Sequence, residues 1–178
     1  AGNGKGLSIE GTATATITGT TIRGMDGQGT GVYVESSQTL NMTGVTISNV
    51  GTGVEVTSGN LTVSGGTMTD VGMGIRMLGS GMLTVNSGAR ITVKSGVGNY
   101  GIGVGREVTS ATLTNVTIRG TGGQGKGVWM ESSQTLNMTD VRISGVAMGV
   151  EATNGTLTIS GHSTITFKNE AGNYGVRV

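Results

Sequence analysis

The sequence contains no proline and no cysteine, and its aromatic residues are one Trp, three Tyr and one Phe. Without cysteine there is no disulfide framework from which to infer a redox compartment. Charged residues make up 12% of the chain, and 11 basic side chains against 10 acidic ones leave a net charge of +1. Such a weak overall field does not steer nucleic acid, so we predict no nucleic-acid partner.

Long apolar runs are also missing. None approaches the roughly 18–20 residues of a membrane span, and no signal-peptide core begins at Ala1. We therefore expect no membrane insertion of this segment. We also expect it to be a mature or excised piece of a longer protein.

What is abundant is glycine, with 36 residues, together with Val, Ile, Thr and Ser. A high glycine content can indicate disorder, but disordered chains are poor in β-branched residues and rich in charge. Order through β-structure is the better interpretation. A length of 178 residues suits a single domain, which we assign to residues 1–178.

The sequence repeats itself at a large period. The nonapeptide ESSQTLNMT occurs at 35–43 and at 131–139, within a longer match at an offset of 96 residues. The later match of Gly-Asn-Tyr-Gly at 98–101 with 172–175 has an offset of only 74. We predict an internal duplication of 15–104 and 111–178 in which the second copy is shorter by 22 residues, or one structural unit.

A finer repeat of Gly-apolar-x-apolar supports that unit length. It occurs seven times, at spacings of 22, 21, 27, 26, 22 and 26 residues: GVYV at 31, GVEV at 53, GIRM at 74, GIGV at 101, GVWM at 127, GVEA at 149 and GVRV at 175. Two further short alternating segments accompany each one, which indicates three strands per unit. A unit this short must stack on its neighbours, so the pattern predicts an all-β fold, a right-handed parallel β-helix of about seven coils.

Strand side chains alternate between faces, so the x of Gly-apolar-x-apolar points outward. The outward column then reads Tyr33, Glu55, Arg76, Gly103, Trp129, Glu151, Arg177. Neighbouring coils should pair Glu55 with Arg76 and Glu151 with Arg177. Exposed aromatic and Arg residues are typical of binding surfaces, so the candidate binding residues are Tyr33, Arg76, Lys126 and Trp129. The alternative is that these side chains only stabilise the stacking of coils.

Catalytic chemistry has little support in the sequence. The single histidine, His162, has no sequence partner for a nucleophilic triad, and the one arguable cluster is Asp70, Arg76 and Glu55. The Asp26 loop lacks the pattern of a calcium-binding β-helix repeat. We therefore predict no enzymatic activity, no metal and no cofactor.

The phrases TLNMTGVTISNVGTGVEV, TNVTIRG and VRISGVAMGVEATNGTLTISG resemble the passenger domains of bacterial autotransporters, and most closely the pro-angiogenic passenger domains of Bartonella. The likeness extends over essentially the whole chain, although these motifs are repeat consensus. The resemblance implies a protein that is secreted or displayed on the bacterial surface. It also implies action on host endothelial cells through a cell-surface receptor, such as a vascular endothelial growth factor receptor.

Two functional hypotheses follow. In the first, the chain is a receptor-binding agonist. In the second, it is a structural or adhesive β-helical stalk. Open rod ends expose pairing edges, so self-association through these ends is a further expected interaction.

Overall fold

The computed structural model describes residues 4–178, and within them the chain forms eighteen parallel β-strands and no helix. The strands are β1 Lys5–Gly11, β2 Ala15–Thr18, β3 Thr21–Arg23, β4 Thr30–Thr43, β5 Thr46–Ser64, β6 Thr67–Met77, β7 Met82–Asn86, β8 Arg90–Val93, β9 Tyr100–Val104, β10 Ser110–Thr114, β11 Thr117–Gly120, β12 Lys126–Met130, β13 Thr135–Thr139, β14 Arg142–Val146, β15 Met148–Ala152, β16 Thr156–Ser160, β17 Thr164–Phe167 and β18 Val176–Arg177. Residues 1–3 of the predicted domain lie outside the described part.

The strands stack into a right-handed parallel β-helix of about seven coils, as predicted. Each coil passes through three sheets in turn. Sheet 1 contains the Gly-apolar-x-apolar strands, for example 30–34 of β4, 52–56 of β5, and β9, β12 and β15. Sheet 2 contains β2, β7, β10, β13 and β16 with the C-terminal parts of β4 and β5. Sheet 3 contains β3, β8, β11, β14 and β17 with the N-terminal parts of β5 and β6.

Two details differ from the sequence prediction. Sheet 1 has an eighth strand, β1, whose Gly6-Leu7-Ser8-Ile9 pairs in register with Gly31-Val32-Tyr33-Val34 of β4. In addition, β4, β5 and β6 are long strands of 14, 19 and 11 residues that continue around corners. At corners of β5 and β6 a single left-handed residue, such as Asn49 at φ 54°, turns the chain, and the hydrogen bonds to the neighbouring coil continue.

The core consists of columns of aliphatic side chains that stack from coil to coil. One column of sheet 1 contains Val32, Val54, Ile75, Ile102, Val128 and Val150, all with no exposed surface. Leu40, Leu61, Leu83, Ala111 and Leu136 form the equivalent column of sheet 2. Each fully buried aliphatic residue of this size contributes about 1.5–3 kcal/mol through the hydrophobic effect.

The glycine of most Gly-apolar-x-apolar segments packs against an isoleucine of sheet 3, whereas Gly53 packs against Met68 and Gly175 against Phe167. A Cβ added at Gly31 would lie 2.7 Å from Ile47 Cγ2 and 2.7 Å from the Gly53 carbonyl oxygen. The same clash with an isoleucine of sheet 3 recurs at Gly74 and Gly101. Glycine is therefore required because sheets 1 and 3 approach closely at this corner, and that requirement explains the repeat.

A second repeated feature is the short turn of two or three residues between sheets 2 and 3. In every coil the first residue of this turn is left-handed, with φ between 52° and 66°: Gly19, Gly44, Gly65, Ser87, Asn115, Asp140 and Gly161. Glycine, Asn and Asp adopt this conformation at the lowest cost. The left-handed conformation therefore recurs at the same place in every coil, although the residue type varies.

The repeated nonapeptide makes the same hydrogen bonds in both copies. Ser36 Oγ donates to Ala13 O at 2.6 Å and accepts from Gln38 N at 3.2 Å, while Ser132 Oγ donates to Val108 O at 2.6 Å and accepts from Gln134 N at 3.0 Å. Both hydroxyls belong to side chains that are only 1% exposed. The duplicated sequence therefore holds a buried corner between sheets 1 and 2.

Candidate functional site

The outward column of sheet 1 follows the register that the sequence predicted. Tyr33 pairs with Glu55, Glu55 with Arg76, Arg76 with Gly103, Gly103 with Trp129, Trp129 with Glu151, and Glu151 with Arg177. The two predicted ion pairs are formed, at 3.3 Å for Arg76–Glu55 and 3.8 Å for Arg177–Glu151. All four candidate residues therefore lie on sheet 1.

Gly103 leaves a gap in this column between Arg76 and Trp129. The Tyr100 ring folds over that gap, since a Cβ at Gly103 would lie 2.9 Å from Tyr100 Cζ and 3.1 Å from its hydroxyl oxygen. The Tyr100 and Trp129 rings lie 5.7 Å apart with an interplanar angle of 57°. This tilted arrangement is favourable for aromatic pairs, so it fixes the Trp129 ring beside the gap.

An open groove of about 260 Å³ lies at this place on sheet 1, with Tyr100 and Gly103 in its lining. We call it the Arg76–Trp129 groove, and its lining comprises Met73, Arg76, Met77, Leu78, Tyr100, Gly103, Val104, Gly105, Trp129 and Glu131. The lining combines the aromatic rings of Tyr100 and Trp129 with apolar side chains, and Arg76 and Glu131 supply charges of opposite sign. Arg76 keeps 40% of its side chain exposed while paired with Glu55, so its guanidinium remains accessible to a partner.

Burial raises the pKa of Tyr100, and the positive charge of Arg76 only partly opposes that shift. Tyr100 therefore remains a neutral phenol at physiological pH. It contributes a flat apolar surface to the groove, and the side chain is only 6% exposed.

Lys126 is held beside the groove by two partners. Its Nζ lies 2.5 Å from Glu151 Oε2 and 4.9 Å from the centroid of the Trp129 ring. The side chain is 22% exposed. Lys126 therefore contacts the Trp129 ring while it is paired with Glu151.

Tyr33 is placed on the same sheet but away from the groove. It lies four coils from Trp129, or roughly 19 Å at the usual strand spacing. Its hydroxyl donates to Glu35 at 3.2 Å, and Lys5 Nζ lies 3.4 Å from its ring centroid. The structure therefore brings Arg76, Lys126 and Trp129 together but leaves Tyr33 separate.

The cluster considered for catalysis is only partly formed. Glu55 pairs with Arg76, whereas Asp70 pairs with Lys94 at 3.8 Å. His162 is fully exposed, and Asp140 Oδ1 accepts a hydrogen bond from its backbone N–H at 2.7 Å. Within residues 4–178 no three His, Cys, Asp or Glu side chains are grouped to hold a metal ion, and no helix there is long and apolar enough to cross a membrane.

Sequence reasoning missed the parts of the groove that depend on side-chain direction. Gly103 was identified as an outward position, but its role as a gap was not. Tyr100 is buried with its ring over Gly103, a position that the outward column did not reveal. The sequence did contain a signal. Gly103 is a glycine in a column that large residues otherwise occupy, and an aromatic residue, Tyr100, precedes it by three positions.

The right-handed β-helix region family matches residues 5–171. The chain belongs to this family. Comparison with curated proteins and with solved structures gave no match. A right-handed β-helix is the type of fold that the resemblance to autotransporter passenger domains implies, and it is compatible with a passenger domain or an adhesive stalk.

Proposed function

We propose that this β-helix is the passenger domain of a secreted bacterial autotransporter that binds and activates a receptor protein on host endothelial cells. The sequence resemblance to the pro-angiogenic Bartonella passenger BafA supports a receptor of the vascular endothelial growth factor class. On this proposal the protein is extracellular, is not an enzyme and uses no cofactor.

The observation that carries the proposal is the Arg76–Trp129 groove. Trp and Arg are the residues most enriched among those that dominate protein–protein binding energies. Here both flank a preformed depression, and Tyr100 and Lys126 hold the Trp129 ring in place. A ring already ordered before binding costs less conformational entropy when a partner covers it. Tyr33 would extend the same contact surface along sheet 1.

The experiment applies the purified chain to endothelial cells and measures receptor tyrosine phosphorylation against concentration. We expect a saturable response. Replacing Trp129 by Ala or Arg76 by Ala should each raise the half-maximal concentration by at least about tenfold, because truncation of a central anchor costs about 2 kcal/mol or more. Tyr33→Ala should have a smaller effect, because Tyr33 lies outside the groove.

Met25→Ala is the matched control, because Met25 is 98% exposed and lies outside the groove. It removes an exposed apolar side chain without touching the groove. Thermal unfolding of every variant separates loss of contact from loss of fold. A wild-type response that Trp129→Ala and Arg76→Ala leave unchanged would exclude this groove as the receptor contact.

A flat response from the folded wild-type chain would instead support the stalk hypothesis. In that case the regular stack of coils would serve to project or attach other parts of the protein. Adhesion of bead-coupled chain to endothelial monolayers would then be the informative measurement, since it requires no signalling.

A further inference from the structure

Sheet 3 contains a cluster of arginines that the proposed receptor contact does not use. Arg90 begins β8, Arg119 lies within β11 and Arg142 begins β14, in three successive coils. All three side chains are exposed. We call this cluster the arginine triad.

The strand register places the triad on one flat surface. Thr117 pairs with Arg90 on one side and with Arg142 on the other, so these two arginines lie two coils apart, or about 10 Å. Arg119 is two residues beyond Thr117 on the same face, about 8 Å from each by the strand geometry. The triad is therefore a triangle of cations on a rigid sheet.

In the described part of the chain, no acidic side chain pairs with the arginines of the triad. Within residues 4–178 none of its three guanidinium groups has a carboxylate within 4.0 Å, whereas the Arg and Lys residues of sheet 1 near the groove are paired. The other outward residues of β8, β11 and β14 at these positions carry hydroxyls: Thr92, Thr117 and Ser144. Thr164, which pairs with Arg142 from the following strand, carries a hydroxyl as well. Asp140, the nearest acidic residue in sequence to Arg142, accepts from His162.

We propose that the arginine triad is a binding site for a sulfated polysaccharide. A guanidinium group donates two parallel hydrogen bonds to an oxyanion, so three guanidinium groups at fixed separations fit sulfates that recur along a chain. The hydroxyls between the arginines can donate to, and accept from, sugar hydroxyls. Because the triad is on sheet 3 and the groove is on sheet 1, this interaction is separate from the receptor contact.

The same cations attract nucleic acid, but the surface fits nucleic acid less well. Proteins that bind single strands stack the bases on aromatic side chains, and none of the outward residues of β8, β11 and β14 is aromatic. Phe167 of the following strand, β17, continues the inward column of Val146 and is 45% exposed. Duplex recognition inserts a helix or a ribbon into a groove, whereas this surface is a flat sheet of short side chains and arginines. Sulfate contacts along a polysaccharide require neither feature.

The experiment measures binding of the intact chain to heparin, to desulfated heparin and to single-stranded and duplex DNA over a range of NaCl concentrations. Replacing Arg90, Arg119 and Arg142 together by Ala should weaken heparin binding at physiological salt by at least about tenfold. The slope of the logarithm of affinity against the logarithm of salt should also fall by about 2–3, because three ionic contacts are lost.

The matched control replaces Arg23, Arg76 and Arg106 together by Ala, which removes the same net charge from sites outside the triad. This control should weaken heparin binding by less than about threefold. Equal weakening in both triple variants would show that only net charge matters and would overturn the proposal. DNA binding as tight as heparin binding, or equal affinity for desulfated heparin, would overturn it as well. Receptor phosphorylation by the triad variant, measured without added polysaccharide, should be unchanged.

Discussion

Glu151 shows how a single residue joins two adjacent coils. Among residues 4–178 it is the one charged residue that the fold buries, with 9% of its surface exposed. Lys126 precedes it by one coil and Arg177 follows it by one coil, and both approach its carboxylate. Because Lys126 also lies over Trp129, Glu151 indirectly supports the groove.

The lowered pKa of Glu151 predicts how the stability of the fold depends on pH. Burial alone would raise this pKa, but hydrogen bonds from Lys126 and Tyr174, with the charges of Lys126 and Arg177, outweigh burial and lower it. A lowered pKa in the folded state means that the contribution to stability is present above the unfolded pKa of about 4.3. That contribution is lost as the pH falls through the folded pKa.

We therefore expect Glu151→Gln to lower the free energy of unfolding by about 1–2 kcal/mol at neutral pH, because a charged hydrogen-bond acceptor is lost. The difference from wild type should shrink as the pH falls below about 4. Thermal melts across the acid range provide the measurement, and Glu107→Gln, at an exposed carboxylate, is the control. A constant difference at all pH values would contradict the ionic role.

At the scale of the element, the strand of sheet 1 is defined by its glycine as much as by its two apolar residues. The alternation of apolar and polar residues predicted the strands and their faces correctly. It could not show why glycine comes first, because the clash involves an isoleucine from another sheet and a carbonyl oxygen from the next coil. That reason is a property of packing between elements.

Gly101→Ala tests this requirement in a central coil. The new Cβ would lie 2.5 Å from Ile118 Cγ2 and 2.7 Å from the Gly127 carbonyl oxygen, so the strand or the isoleucine must shift. We expect a destabilisation of about 1–3 kcal/mol, as for other overpacked cores, measured by chemical denaturation. Gly98→Ala is the control, because an added Cβ there meets nothing within 4 Å. Similar stabilities for the two variants would contradict the packing argument.

At the scale of the whole molecule, the coil is the unit that can be gained or lost. Thr46 pairs with Thr67 and Ile47 with Met68, so one coil extends from residue 46 to residue 66. Stability in such a stack is approximately a sum over repeats and their interfaces. The predicted duplication, with a second copy shorter by one coil, follows the same logic.

Deletion of residues 46–66 should therefore yield a folded protein of lower stability that retains a β-sheet circular dichroism spectrum and a cooperative melt. The new junction joins Val45 to Thr67 and keeps every strand in register. Deletion of residues 46–56 alone is the comparison. It removes the sheet 3 and sheet 1 strands of this coil but leaves the sheet 2 strand of the same coil in place. If both deletions unfolded the chain, the coil would not be an independent unit.

The outward column of sheet 1 is the part of the candidate site that could be predicted from the sequence. The register of Arg76, Gly103 and Trp129 follows from the repeat, so their placement on adjacent coils was predictable. The separation of Tyr33 from the groove was predictable from the same spacing. The position of the Tyr100 ring was not, because it depends on the space that Gly103 leaves on the next strand.

The sequence by itself determined the parallel β-helix, its number of coils and the identity of its inward columns. It could do so because the alternation within strands and the recurrence of 21–27 residues between coils are both readable along one chain. The register also predicted the pairing of Glu55 with Arg76 and of Glu151 with Arg177. The tertiary structure alone decided the Lys126–Glu151 ion pair and showed that the arginine triad has no carboxylate partner within residues 4–178. Both depend on rotamers and on distances between coils, and neither of these is encoded in the period of the repeat.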